Sequence, residues 1–110
     1  MPLSARARIE VYLPDLLTPE AQELLITLNR ELTFTFGGAT IMRGLDGSYL
    51  SDRGQFIRDR VNLIYTVTRF AFQENLALIS EYADTLRQAV QSVLHEEDIL
   101  IIAYPVYRAS

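Results

Sequence analysis

Two stretches of apolar residues at helical spacing divide this chain, and each stands between stretches patterned as strands. Ala21, Leu24, Leu25, Leu28 and Leu32 form the first stripe; Leu76, Ile79, Ala83, Leu86, Val90 and Val93 form the second. Residues three and four apart share one face of a helix, so each stripe needs an apolar surface to pack against. The strand-like segments around the stripes are the only such surface in the sequence. Few folds satisfy that order.

Ahead of the first stripe, Ile9, Val11 and Leu13 alternate with Arg8, Glu10 and Tyr12, the period of two that marks a half-buried strand. Pro14 and Asp15 end it. Thr18-Pro19-Glu20 then opens a helix: a hydroxyl N-cap, a proline whose missing N–H costs nothing in the first turn, and a carboxylate at the positive end of the dipole. The spacing predicts a helix from about 19 to about 32. All five glycines lie between positions 37 and 54, so irregular backbone is concentrated there. Gly37-Gly38 separates the LTFTF run from a strand starting near Thr40. Asp46-Gly47 predicts a two-residue hairpin turn and Asp52-Arg53-Gly54 a second turn. Residues 39–68 therefore read as a meander: strand, tight turn, short strand, turn, long strand. In the last strand Val61, Leu63, Tyr65 and Val67 alternate with Asn62, Ile64 and Thr66. His95 with Glu96, Glu97 and Asp98 closes the second helix. ILIIAY, residues 99–104, is apolar up to Tyr104, as a strand covered on both faces would be.

Strand, helix, hairpin, helix, strand is the order of the ferredoxin-like β-α-β-β-α-β sandwich, an α+β fold with both helices on one face of an antiparallel sheet. One such domain accounts for residues 1–110, with an extended β2–β3 hairpin or meander. Residues 36–67 also resemble small bacterial, notably cyanobacterial-type, proteins that space a Gly, a Thr, a Gly-x-x-Gly turn, an aromatic, a further Gly and an acid in this way. Here those positions are Gly38, Thr40, Gly44, Gly47, Tyr49, Gly54 and Asp59. The resemblance implies a ferredoxin-like fold and a dimer or higher oligomer, and brings no activity with it. In layout the chain is distantly similar to PII-type signalling proteins, although it shows none of their effector-binding motifs.

Absences narrow the chemistry further. There is no Cys, which excludes disulfides, thiolate nucleophiles and cysteine-held metals, and all ten basic residues are Arg, which excludes Schiff-base and P-loop lysines. A single His, His95, cannot form a multi-histidine site; no metal and no cofactor is implied. A net charge of -4 argues against nucleic acid, and no apolar stretch reaches the length of a membrane span. With no signal-peptide pattern in MPLSARARIEVYLP, a cytoplasmic location is expected.

Four arginines, Arg43, Arg53, Arg58 and Arg60, share the meander with Asp46, Asp52 and Asp59. Arginine forks bind carboxylate and phosphate, so a small anionic ligand could sit here, with Arg43, Tyr49, Asp59, Arg60 and Tyr65 as its candidate residues. The competing reading is a solvated hairpin with local ion pairs. Gly37-Gly38 lacks the following helix of a phosphate loop and reads as a turn. His95 has a sufficient structural role at a helix C-terminus. Because two helices cover one face of a two-layer sandwich, the other face, carrying Arg8, Glu10, Tyr12, Ile64 and one row of ILIIAY, is expected to pair with another copy as a homodimer or higher homo-oligomer. These features favour a non-enzymatic, self-associating domain with a regulatory or ligand-sensing role. The alternative is a small cofactor-independent enzyme, monooxygenase- or isomerase-like, using Tyr, Arg and a carboxylate; it requires an enclosed pocket with Arg43, Asp59 or His95 facing a Tyr.

Overall fold

A computed structural model of the chain describes residues 3–95 and 99–109. Its elements are β1 (Leu3–Pro14), α1 (Pro19–Phe36), β2 (Thr40–Leu50), β3 (Phe56–Val67), α2 (Leu76–Leu94) and β4 (Leu100–Ala109). The strands form one antiparallel sheet in the order β2-β3-β1-β4. This is the ferredoxin-like fold. Ile9, Val11, Leu13 and Ile64 on the sheet meet Leu24, Leu25, Leu28 and Leu32 of α1 and Leu86 and Val90 of α2 in a single core.

The first helix starts where the sequence says, with Thr18 Oγ1 accepting a hydrogen bond from the Ala21 N–H. It ends four residues later than expected. Thr33-Phe34-Thr35-Phe36 is poor helix material by propensity, but Phe36 continues the Leu28, Leu32 stripe and packs edge-on against Tyr82 at 5.1 Å and Phe70 at 6.2 Å. Gly37, with φ of 97°, then closes the helix with its N–H donated to the Thr33 carbonyl.

The meander is a single long hairpin. Asp46-Gly47 makes no turn: Asp46 lies opposite Arg60 and Gly47 opposite Asp59 within β2. A reversal there would leave the next residues only a short ladder, whereas continuing to Leu50 extends the cross-strand pairing. The chain turns at Ser51–Gln55, where Gly54 adopts a φ of 76° and Ser51 Oγ accepts from the Gln55 N–H. Between Met42 and Leu45 the register shifts, and Gly44 takes the left-handed conformation at that bulge.

Two side-chain assignments also change. Ile64 faces the helices, opposite Val11, and is fully buried. Asn62 and Thr66 share its row, and their polar atoms are satisfied there: Asn62 accepts from the Gly44 N–H and donates to Asp15, and Thr66 donates to the Gly38 carbonyl. Strand β4, expected to be covered on both faces, is an edge strand paired only with β1, and Leu100 is half exposed. His95 caps α2 in the left-handed conformation, donating its N–H to the Gln91 carbonyl; Glu96, Glu97 and Asp98 lie outside the described residues.

Candidate functional site

The face of the sheet turned away from the helices has two halves. Around Tyr12 it is apolar: Met42, Leu45, Val61, Leu63, Leu100 and Ile102 occupy one end, as their pairing registers require. Met42 and Leu100 are half exposed. Toward the other end the same rows turn polar, with Arg6, Arg8, Tyr65, Tyr104 and Arg108.

At the junction stands Glu10, only 4% exposed although no second layer covers it. Its shield is its neighbours. Arg8 Nε donates to Oε2 at 2.7 Å, the Tyr104 hydroxyl to the same oxygen at 2.6 Å, and the Tyr12 hydroxyl to Oε1 at 2.9 Å. The Arg8 guanidinium carbon lies 3.7 Å from the centroid of the Tyr65 ring, a cation–π stack. Register explains the convergence: Glu10 pairs with Tyr65 on one side and Ile102 on the other, which sets Arg8 beside Tyr104. Burial raises the Glu10 carboxyl most strongly of any single influence, but the two tyrosine bonds and the Arg8 charge together outweigh it and leave it below its ordinary value. The same bonds to Glu10, and then burial, push Tyr12 and Tyr104 above theirs. Near neutrality the carboxylate is thus held ionised and the phenols protonated, which makes the group a poor proton donor or acceptor and a firm anchor for Arg8.

Beside this cluster a polar cleft of about 780 Å³ opens where β3 stops at Val67. Gly37, Gly38 and Thr40 line one part of it, and Tyr65, Arg8, Arg69 and Arg108 are among its other lining residues. Three guanidinium groups line it, and no lining residue is acidic. Arg69 and Arg108 have no ion-pair partner among the described residues.

Of the residues the sequence singled out, Tyr65 is in this cleft and under Arg8. Asp59 and Arg60 line a second open cleft along the β2–β3 arm, with Asp15, Asp46 and Arg58. There Asp59 accepts from the Arg60 N–H at 2.8 Å and the Arg60 side chain reaches the Gly44 carbonyl at 3.4 Å. Arg43 is exposed at the bulge and Tyr49 near the arm's tip; neither lines either cleft. Among the described residues no ion pair joins the arm's arginines to its aspartates. Arg43, Asp59 and His95 do not meet a tyrosine in either cleft. The Tyr, Arg and carboxylate that do meet are Tyr12, Tyr104, Arg8 and Glu10. Arg8, Glu10 and Tyr12 were visible as a polar row on an otherwise aliphatic strand, but their partners come from β3 and β4, far along the chain. Among the described residues no group of three His, Cys, Asp or Glu could hold a metal ion, and no helix is long and apolar enough to cross a membrane.

No family model and no curated relative matches the chain. Solved structures do. CutA1 from Oryza sativa is 17% identical, with 98% of this chain and 85% of that one covered at a TM-score of 0.62. The divalent cation tolerance protein CutA1 from Thermus thermophilus is 17% identical, with 96% and 87% covered and a TM-score of 0.60. CPII from Thiomonas intermedia, a nitrogen regulatory PII-like protein bound to ADP, AMP and bicarbonate, is 14% identical over 99% of this chain and 100% of that one, at 0.57. The likeness is one of fold. The PII-like layout read from the sequence is therefore found, while the finer pattern of residues 36–67 has no family match beneath it.

Proposed function

We propose that this chain is a self-associating regulatory domain that senses a small anionic ligand in the cleft lined by Arg8, Arg69 and Arg108. The observation that carries the reading is the charge of that cleft: three guanidinium groups and no lining carboxylate, in a chain whose net charge is -4. An acidic protein that gathers three arginines at one concave site, two of them with no ion-pair partner among the described residues, creates a local field for anions against its overall charge. A protein of the same fold bound to ADP, AMP and bicarbonate supports the choice of ligand class. Self-association rests on the apolar end of the open sheet face, whose exposed Met42 and Leu100 fit a second copy laid over that end, leaving the cationic cleft at the other.

Isothermal titration with ADP, AMP and bicarbonate tests the ligand half. Binding of at least one is expected, weakening with added salt, and the double charge reversal Arg69→Glu, Arg108→Glu is expected to weaken it by about tenfold or more. A cleft indifferent to all three anions, or binding unchanged by the charge reversal, removes this reading. The enzymatic alternative draws no support from the Glu10 cluster, which near neutrality holds its carboxylate ionised and its tyrosines protonated.

A further inference from the structure

Arg8 differs from the other two arginines of the cleft in how it is held. Arg69 and Arg108 are exposed side chains with no ion-pair partner among the described residues. Arg8 is fixed on two sides. Its Nε is tied to Glu10 at 2.7 Å, and its guanidinium carbon lies over the Tyr65 ring, 3.7 Å from the centroid. Glu10 is in turn clamped by Tyr12 and Tyr104 at 2.9 and 2.6 Å, so the anchor cannot swing. Besides Glu10 the Arg8 guanidinium meets the Tyr104 hydroxyl, and among the described residues no second carboxylate pairs with it. A planar fork tied at Nε to one carboxylate and set over an aromatic ring, with no second carboxylate at its terminal nitrogens, is pre-organised for two parallel hydrogen bonds to an oxyanion.

The geometry points to Arg8 as the specificity-determining residue of the cleft, selecting ligands that present two oxygens of a carboxylate, bicarbonate or phosphate group to its terminal nitrogens. This rests on the anion-binding reading above and adds to it a division of labour. Arg69 and Arg108 act as point charges that draw an anion in, and Arg8 reads its shape. Lysine preserves charge but not the fork, so replacing each arginine by lysine separates the two roles.

The test is a titration of the ¹⁵N-labelled chain with ADP and with inorganic phosphate, followed by NMR, with chloride at matched ionic strength as control. The Arg8 Nε resonance is expected to shift with ADP and phosphate and not with chloride. Arg8→Lys is expected to weaken ADP binding by about tenfold or more and to erase the preference over chloride, while Arg69→Lys and Arg108→Lys lose less than about threefold. Tyr65→Leu, which removes the stack and leaves the charge, is expected to fall between them, and amide spectra of each variant report whether the fold is intact. If ADP and phosphate bind, but Arg8→Lys binds them as the parent does, the shape-reading role is overturned and the anion site stands. If neither anion perturbs the parent chain, both fall together.

Discussion

Glu10 shows how a carboxylate survives on a sheet with nothing packed above it. Its oxygens receive three donors, one of them cationic, and hydrogen bonds to a charged group are worth about 1.5–3 kcal/mol each against a weaker neutral norm. The sign of the pH dependence follows from the lowered Glu10 carboxyl. Between its folded value and the ordinary 4.5, the unfolded chain holds the extra proton, so the cluster's contribution is complete above 4.5 and lost as pH falls through the folded value. Glu10→Gln is therefore expected to lower stability at pH 7 by about 1–3 kcal/mol, with the gap to the parent closing as the pH drops below 4.5. Urea midpoints measured from pH 7 to pH 3 check it; a gap independent of pH would mean that the charge on Glu10 contributes nothing. At the alkaline end Tyr82, which burial and its bond to Glu31 push up to about 12, favours the folded chain at pH values below that figure. Because the unfolded chain loses this proton near 10.0, stability is expected to decline from there as pH rises, and less steeply in Tyr82→Phe.

At the scale of elements, the hairpin arm depends on one backbone position. Gly44 sits at the bulge with φ of 64°, where an added Cβ would come 2.5 Å from the Arg60 guanidinium. That side chain can move aside, so the cost of Gly44→Ala is chiefly conformational, about 1–2 kcal/mol for an L residue in the left-handed region. The arm is expected to fray first, which hydrogen exchange at β2 amides would show as faster exchange confined to residues beyond the bulge; uniform acceleration across the sheet would contradict it. Sequence periodicity was enough to place both helices, β1 and the order of elements, because burying a stripe on each helix requires a sheet. It failed where local and tertiary preferences disagree. Phe36 at the end of α1 has its ring partners far along the chain, Phe70 and Tyr82, the latter 46 positions later. Asp46-Gly47 has the composition of a tight turn, yet the longer ladder to β3 overrides it. Ile64 shares its row with Asn62 and Thr66, so the row looked solvent-facing until its polar atoms found buried partners. The Glu10 cluster was illegible for the same reason: three strands supply it, and register, not spacing, brings them together.

For the whole molecule, shape and surface lead to the same expectation. A compact chain of this length has a radius of gyration of about 13 Å, whereas this one has 15.0 Å and extents of 47 × 30 × 24 Å. The excess is the arm, whose tip carries Leu50 and Phe56 paired across the strands and each 71% exposed. An extended arm with an apolar tip, rooted in a sheet whose bare face is apolar at one end, exposes more hydrocarbon than an isolated chain keeps at no cost. Sedimentation equilibrium at about 10–100 μM, a range in which a modest interface is occupied, is expected to return a multiple of 12.5 kDa. Met42→Arg with Leu100→Arg places two charges on side chains already half exposed in the single chain, so the fold is expected to survive while the assembly does not. Retention of the parent's mass by that double variant would mean that the copies meet elsewhere. A parent chain that sediments as a monomer throughout would mean that the bare face is tolerated in water, and that the cleft, if it binds anions, does so from one chain alone.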